Sequence, residues 1–269
     1  MATFAVAQVD ACADPVENLA KIAAFAAEAA GRADLLLCPE YAMGYPDKGG
    51  ARVPGQPLDG PFVTGLRELA RVHKLWIVCG ALEESGDPVR PYNTTVVIDR
   101  TGALRRAHRK NHLYDAFSFR ESAGFTPGGA LFEPLDTDFG RIGLLVCYEL
   151  RFPEVARLQA LAGAEYLLAA AAFVCGEGKS HAWHSLLAAR ALENACFVVG
   201  ADHVKRRVFL GESAAYGPNS LPLGALDGER EGLLFVDCPR EAVARYRESC
   251  PSLTQRRDDL YRLEPAHFS

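Results

Sequence analysis

Apolar residues follow two rhythms along this chain. Short continuous or alternating runs read as strands: "TFAVAQVD" (3–10), "DLLLC" (34–38), 75–82, "RIGLLVC" (141–147), "EYLLAAAAF" (165–173) and "CFVVGADHV" (196–204). Between them lie stretches with helical spacing. Asp14, Pro15 and Glu17 give an N-cap, a proline at the first helical position and a capping-box carboxylate. Leu19, Ile22, Ala23 and Ala26 follow at helical spacing, and Gly31 can close that helix. Further helices are expected over 61–74, Pro153–Leu161, Trp183–Ala195 and from about Pro239 to Arg247. "YNTTVVIDRTGALRRAHRK" (92–110) reads as a hairpin turning at Arg100–Thr101–Gly102, and shorter strands are expected in 209–216 and 232–238. Alternation of strand and helix with antiparallel hairpins between predicts an α/β or mixed α+β fold. No repeat and no low-complexity linker interrupts it, so one domain is expected.

Composition narrows the function classes. About half of the 269 residues are apolar (49%), enough for a large core, and the net charge is −5. An acidic chain offers no broad surface for nucleic acid, and the longest basic run is Arg105, Arg106, His108, Arg109 and Lys110. On strand spacing, Arg106 and Lys110 share one face, and Leu104 with them. No apolar segment reaches the ~18 residues of a membrane-spanning helix. The start, Met1–Val9, reads as a strand and not a signal peptide. The expectation is a soluble cytoplasmic protein without membrane or nucleic-acid partners. Eight cysteines with no CxxC pair read as free, mostly buried thiols, and argue against zinc.

Three positions carry candidate chemistry. Cys147 ends an apolar run, and "YELRFPE" (148–154) turns polar and helix-starting straight after it. Backbone N–H groups at such a junction favour a thiolate and can hold an oxyanion. Cys38 and Cys79 also end apolar runs, so strand-end position does not by itself select Cys147. A cysteine nucleophile needs a base. None of the seven histidines has a local signature marking it as that partner. Glu40 follows a strand at the edge where open α/β folds place ligands, although a lone carboxylate there also reads as a solvated loop residue. Lys110 is a candidate fixed cation.

"LLLCPEYAMGYP" around Glu40, "HRKNHLYD" around Lys110 and "GLLVCYELRFPE" around Cys147, in this order, resemble the nitrilase superfamily of carbon–nitrogen hydrolases. "YNTTVVIDRTG", "FRESAGFTPG", "HSLLAARALENACFVVG", "FLGES" and "RRDDLY" extend the resemblance over nearly the whole chain. It implies a single-domain, four-layer α-β-β-α sandwich over 1–269, with the tail from about 248 to 269 at a dimer interface. It implies a Glu–Lys–Cys triad on Glu40, Lys110 and Cys147, with a second glutamate, Glu121, orienting Lys110. The expected partner is a small-molecule amide and the expected assembly a homodimer or larger homo-oligomer. No metal and no cofactor is required. In the implied reaction Glu40 takes the thiol proton and Cys147 attacks the amide. Lys110 and the Tyr148 backbone N–H hold the oxyanion, and water releases the acid from the thioester.

Within the superfamily, "CYELRFPE" looks most like the branch of omega-amidase and deaminated glutathione amidase. Tyr148, where nitrile-hydrolysing members commonly have tryptophan, points away from nitriles. N-carbamoyl hydrolysis, nitrile hydrolysis, acyl transfer and a non-catalytic binding role on the same fold are the alternatives. Departures lie at Ala182–Trp183, where the branch often has His–Trp, in the 171–183 loop, and at Asn219–Ser220. Tyr45, His112, Phe119, Phe173 and Trp183 are expected as pocket walls.

Overall fold

The computed structural model describes residues 1–46, 52–205 and 207–268; the tail's last residue, Ser269, lies outside them. The first half runs β1 (Ala2–Gln8), α1 (Pro15–Ala29), β2 (Leu35–Leu37), α2 (Pro61–His73), β3 (Trp76–Glu83), β4 (Tyr92–Ile98) and β5 (Leu104–Arg109). The second half runs β6 (Leu135–Thr137), β7 (Gly140–Val146), a 3-10 turn (Cys147–Arg151), α3 (Pro153–Leu161), β8 (Tyr166–Ala170) and α4 (Lys179–Asn194). It continues through β9 (Phe197–Ala201), β10 (Ala214–Tyr216), β11 (Pro222–Ala225), β12 (Gly232–Cys238) and α5 (Arg240–Ser249).

The strands form two six-stranded sheets, ordered β12-β1-β2-β3-β4-β5 and β11-β10-β9-β8-β7-β6. β1, β2 and β3 are parallel, as are β7, β8 and β9. Alternation along the strands sorts their side chains into three cores. Phe4, Val6, Leu35 and Leu37 meet Ile142, Leu144, Tyr166 and Leu168 between the sheets. Ala5, Leu36 and Ile77 face Ile22, Phe62 and Leu66 of α1 and α2. Leu167 and Val198 face Val155, Trp183 and Leu187 of α3 and α4. Three cores between four layers make the α-β-β-α sandwich expected from the resemblance. α5 adds Val243 to the inter-sheet core.

Local signals act as the sequence suggests in several places. Asp14 caps α1, its Oδ1 accepting the Val16 N–H at 2.8 Å. In the β4–β5 hairpin, Asp99 Oδ1 accepts the N–H groups of Thr101 (2.8 Å) and Ala103 (3.1 Å). Three expectations need correction. Leu104 does not share a face with Arg106: pairing slips between Val97 and Ile98, Arg105 is the extra residue, and Leu104 packs with Ala107 on the α1–α2 side. α4 begins at Lys179, one turn before Trp183. The strand expected in 209–216 is confined to 214–216, and β11 was not anticipated.

No helix among the described residues is long and apolar enough to cross a membrane. The basic run is paired throughout: Arg105 with Asp99 (3.1 Å), Arg106 with Glu133 (3.6 Å), His108 with Glu149 (3.2 Å), Arg109 with Glu83 (2.6 Å) and Lys110 with two glutamates.

Candidate active site

Both sheets present the C-terminal ends of their parallel strands at one edge, where such folds gather ligand-binding groups. Glu40 follows β2, Cys147 follows β7 and Ala172 follows β8. β5 runs antiparallel to β4, itself antiparallel to β3, so Lys110 emerges at this edge as well. Asn93, near the start of β4, sits here because its strand runs the other way. Lys110 donates its backbone N–H to the Asn93 carbonyl at 2.8 Å.

The side chains converge tightly. Lys110 Nζ donates to Glu40 Oε1 and to Glu121 Oε2, both at 2.8 Å. Asn93 Nδ2 donates to the same Glu40 Oε1 (2.6 Å) and to Glu121 Oε1 (3.0 Å). The Tyr41 hydroxyl and the Tyr114 N–H each donate to Glu121 at 2.5 Å. From the other sheet, the Ala172 N–H donates to Glu40 Oε2 at 2.9 Å. The His203 ring places Nε2 against the Glu40 carbonyl and Nδ1 at 2.7 Å from the Val9 carbonyl, so Glu40 is held through its backbone too.

Two acids sharing one lysine do not behave alike. Burial pushes the Glu40 carboxyl up, against the pull of Lys110 and reinforced by the charge of Glu121. Burial would raise Glu121 as well, but Lys110, Tyr41 and the Tyr114 N–H hold it below its ordinary value. Burial would lower Lys110, but the two glutamates outweigh it and keep it a cation. The two carboxyls around one lysine are thus pushed in opposite directions.

Cys147 opens the 3-10 turn with φ +45°, outside the extended range of β7. The sequence suggested a thiolate favoured by a helix N-terminus. The structure corrects this: α3 starts six residues later, at Pro153, and burial and the Glu40 charge hold the thiol well above its ordinary value. Lys110 and the Ala172 N–H pull it back only in part. The thiol is thus held toward its protonated form.

Glu40, Lys110, Glu121 and Cys147 line one cavity of about 960 Å³, with Tyr41, Tyr45, Phe119 and Phe125 along its walls and Arg52 and Arg120 toward its exposed side. Tyr45 and Phe119 therefore stand where expected. Phe173 does not line this cavity; it borders a small adjoining pocket that also reaches Cys147, together with Tyr114, Tyr148, Arg151 and Lys179. His112 is a correction: it stacks on Phe152 at 3.9 Å and touches neither space. Trp183 is another. Its ring is fully buried between Phe173 and Gly200, and its Nε1 donates to the Glu212 carbonyl at 2.8 Å. An aromatic on the inner face of α4 serves the core, not the site.

Sequence reasoning gave no role to Asn93, Tyr41, the Ala172 N–H or His203. Asn93 lies within "YNTTVVIDRTG", and nothing in that alternating strand marks it as the residue bridging both acids. Tyr41 adjoins Glu40 at φ +54°, which its sequence does not announce.

The sequence profile described as "Carbon-nitrogen hydrolase" matches residues 3–248, and the chain belongs to this family. A deaminated glutathione amidase from Bos taurus is 33% identical over 272 residues, covering 96% of this chain and 82% of its own. The nitrilase and fragile histidine triad fusion protein NitFhit of Caenorhabditis elegans is 35% identical over 216 residues, 76% of this chain; the match spans only 49% of the fusion protein. Its crystal structure superposes with a TM-score of 0.85 at 28% identity, over 97% of this chain and 66% of that one. An amidase from Nesterenkonia sp. AN1, solved as a glutamate-to-glutamine mutant with acrylamide added to its active site cysteine, gives 0.78 at 29% identity, over 97% and 98% of the two chains.

Proposed function

We propose that this protein hydrolyses small-molecule amides to a carboxylic acid and ammonia through a thioester on Cys147. The observation that carries the reading is the shared environment of Glu40, Lys110 and Cys147 at the floor of one cavity, with two buried acids set apart around one lysine. Glu40 takes the thiol proton as the sulfur attacks the amide carbon. Lys110 and the Tyr148 N–H stabilise the tetrahedral oxyanion. The proton passes from Glu40 to the leaving nitrogen, ammonia departs, and Glu40 activates the water that cleaves the thioester. Glu121 and Asn93 keep Lys110 and Glu40 in register throughout.

The cavity is much larger than an acetamide, and Arg52 and Arg120 border it. An elongated amide carrying a carboxylate fits this space, in line with relatives named deaminated glutathione amidase. The reading takes the whole chain as one hydrolase domain in the cytoplasm, paired as a homodimer with the 248–269 segment at the interface. Part of that segment also folds back on its own chain, where the Leu131 N–H donates to the His267 carbonyl at 3.0 Å. Light scattering of the purified protein tests the dimer.

The reaction is tested by ammonia release across deaminated glutathione, 2-oxoglutaramate, 5-aminopentanamide, an aliphatic amide, an N-carbamoyl amino acid and a nitrile. Cysteine-dependent release from a carboxylate-bearing amide is expected. Release from the nitrile alone, or acyl transfer to an added amine in place of hydrolysis, would overturn it.

A further inference from the structure

Glu149 lines neither pocket, yet it touches the backbone on both sides of the site. Its Oε2 accepts the N–H of Val146, the residue before Cys147, at 2.9 Å. The same oxygen lies 3.2 Å from His108 Nε2, two residues before Lys110. Its Oε1 accepts the N–H of Asn111, the residue after Lys110, at 2.8 Å. Val146 ends a strand of the second sheet; His108 and Asn111 flank the lysine at the end of a strand of the first. One fully buried carboxylate thus joins the nucleophile's strand to the lysine's strand.

The chemistry of the joint is self-consistent. Burial would raise this carboxyl, but His108 and the two N–H groups hold it down at about 2, so it stays ionised and keeps accepting from all three. The His108 ring stands edge-on to Phe132 in the inter-sheet core, which limits its freedom to turn away. Glu149 also folds back on Val146 across the one residue of the turn held at positive φ, Cys147.

We propose that Glu149 is the positioning residue that sets Cys147 against Lys110, with His108 as its anchor on the lysine side. The proposal rests on the reading of Cys147 as nucleophile and Lys110 as oxyanion holder. Neither Glu149 nor His108 meets substrate. Their role is to keep the thiol within reach of the lysine, where a misplacement of about 1 Å costs about 10²-fold in rate.

The test compares Glu149→Gln, His108→Ala and His108→Gln, each checked for a cooperative melt. Glu149→Gln puts an NH₂ where one N–H needs an acceptor, and kcat is expected to fall about 10²-fold while KM stays within about threefold. His108→Ala removes a donor and lowers kcat about tenfold; His108→Gln restores an amide donor and recovers most of it. Alkylation of Cys147 by chloroacetamide, read by peptide mass spectrometry, is expected to slow in Glu149→Gln. A folded Glu149→Gln with unchanged kcat, a loss confined to KM, or equal losses in the two His108 variants would overturn the proposal. Should Glu149→Gln fail to fold, the His108 pair decides. Should the wild type turn over no amide, the hydrolase reading fails by itself, and unslowed alkylation in the variants would separately sink the joint.

Discussion

Two parallel strands, one in each sheet, end in the same spacing. β2 runs into Cys38–Pro39–Glu40 and β7 into Cys147–Tyr148–Glu149. In the first, the thiol is buried among the helix-side apolar residues and the glutamate reaches the cavity. In the second, the thiol reaches the cavity and the glutamate is buried against backbone N–H groups. The backbone makes the difference. Cys38 still donates its N–H to the Val78 carbonyl at 2.7 Å, as a strand residue does, and keeps the strand's alternation. Cys147 has left the strand with φ +45°. Residue type alone therefore assigns neither role; the point at which each chain leaves its sheet does.

The largest effect that could break this comparison is the loss of turnover in Cys147→Ala. Activity should fall at least ~10³-fold with the melting temperature little changed, since removing a nucleophile removes its covalent route. Ammonia release and a thermal melt on the same sample check both halves.

Next comes Glu40→Gln. Turnover should drop ~10²-fold or more for want of a base. The thiol should move in the opposite sense: the Glu40 charge is among the causes that hold Cys147 up, so its removal lowers the pH midpoint of alkylation. A midpoint that rises would contradict the electrostatic account.

A smaller effect is expected at Gly80 of β3. A Cβ there would meet the Pro39 carbonyl at 2.5 Å and Glu40 Cα at 2.7 Å. Gly80→Ala should cost about 1–3 kcal/mol by overpacking and lower kcat more than it raises KM, because Glu40 is displaced. Denaturant melts and steady-state kinetics separate the two effects.

The smallest is Cys38→Ala, which should cost about 1 kcal/mol of stability and leave kcat unchanged. Loss of turnover without loss of stability would reverse the assignment of the two cysteines.

These two loops also show how much was legible in the sequence. Glu40, Lys110 and Cys147 stood out through the ordered motifs around them, and alternating apolar runs located the central strands. β11 was hidden because "PLGA" carries Pro222 and Gly224, which suit only an exposed edge strand. The start of α4 was hidden because Gly178, at φ +70°, opens it without a side-chain cap. Trp183 was expected as a pocket wall from its place at the end of the 171–183 loop, and that place does not report which interior its ring meets. Asn93, Tyr41 and the Ala172 N–H act through contacts between segments far apart in the chain, and no local pattern encodes those.

The most direct test of the central claim is intact-protein and peptide mass spectrometry of acid-quenched samples during turnover of a carboxylate-bearing amide. The account predicts an acyl adduct on Cys147, at the mass of the substrate less ammonia, that decays as acid is released. Turnover with no adduct, or with the acyl group on Cys38, Cys79 or Cys175, would contradict it.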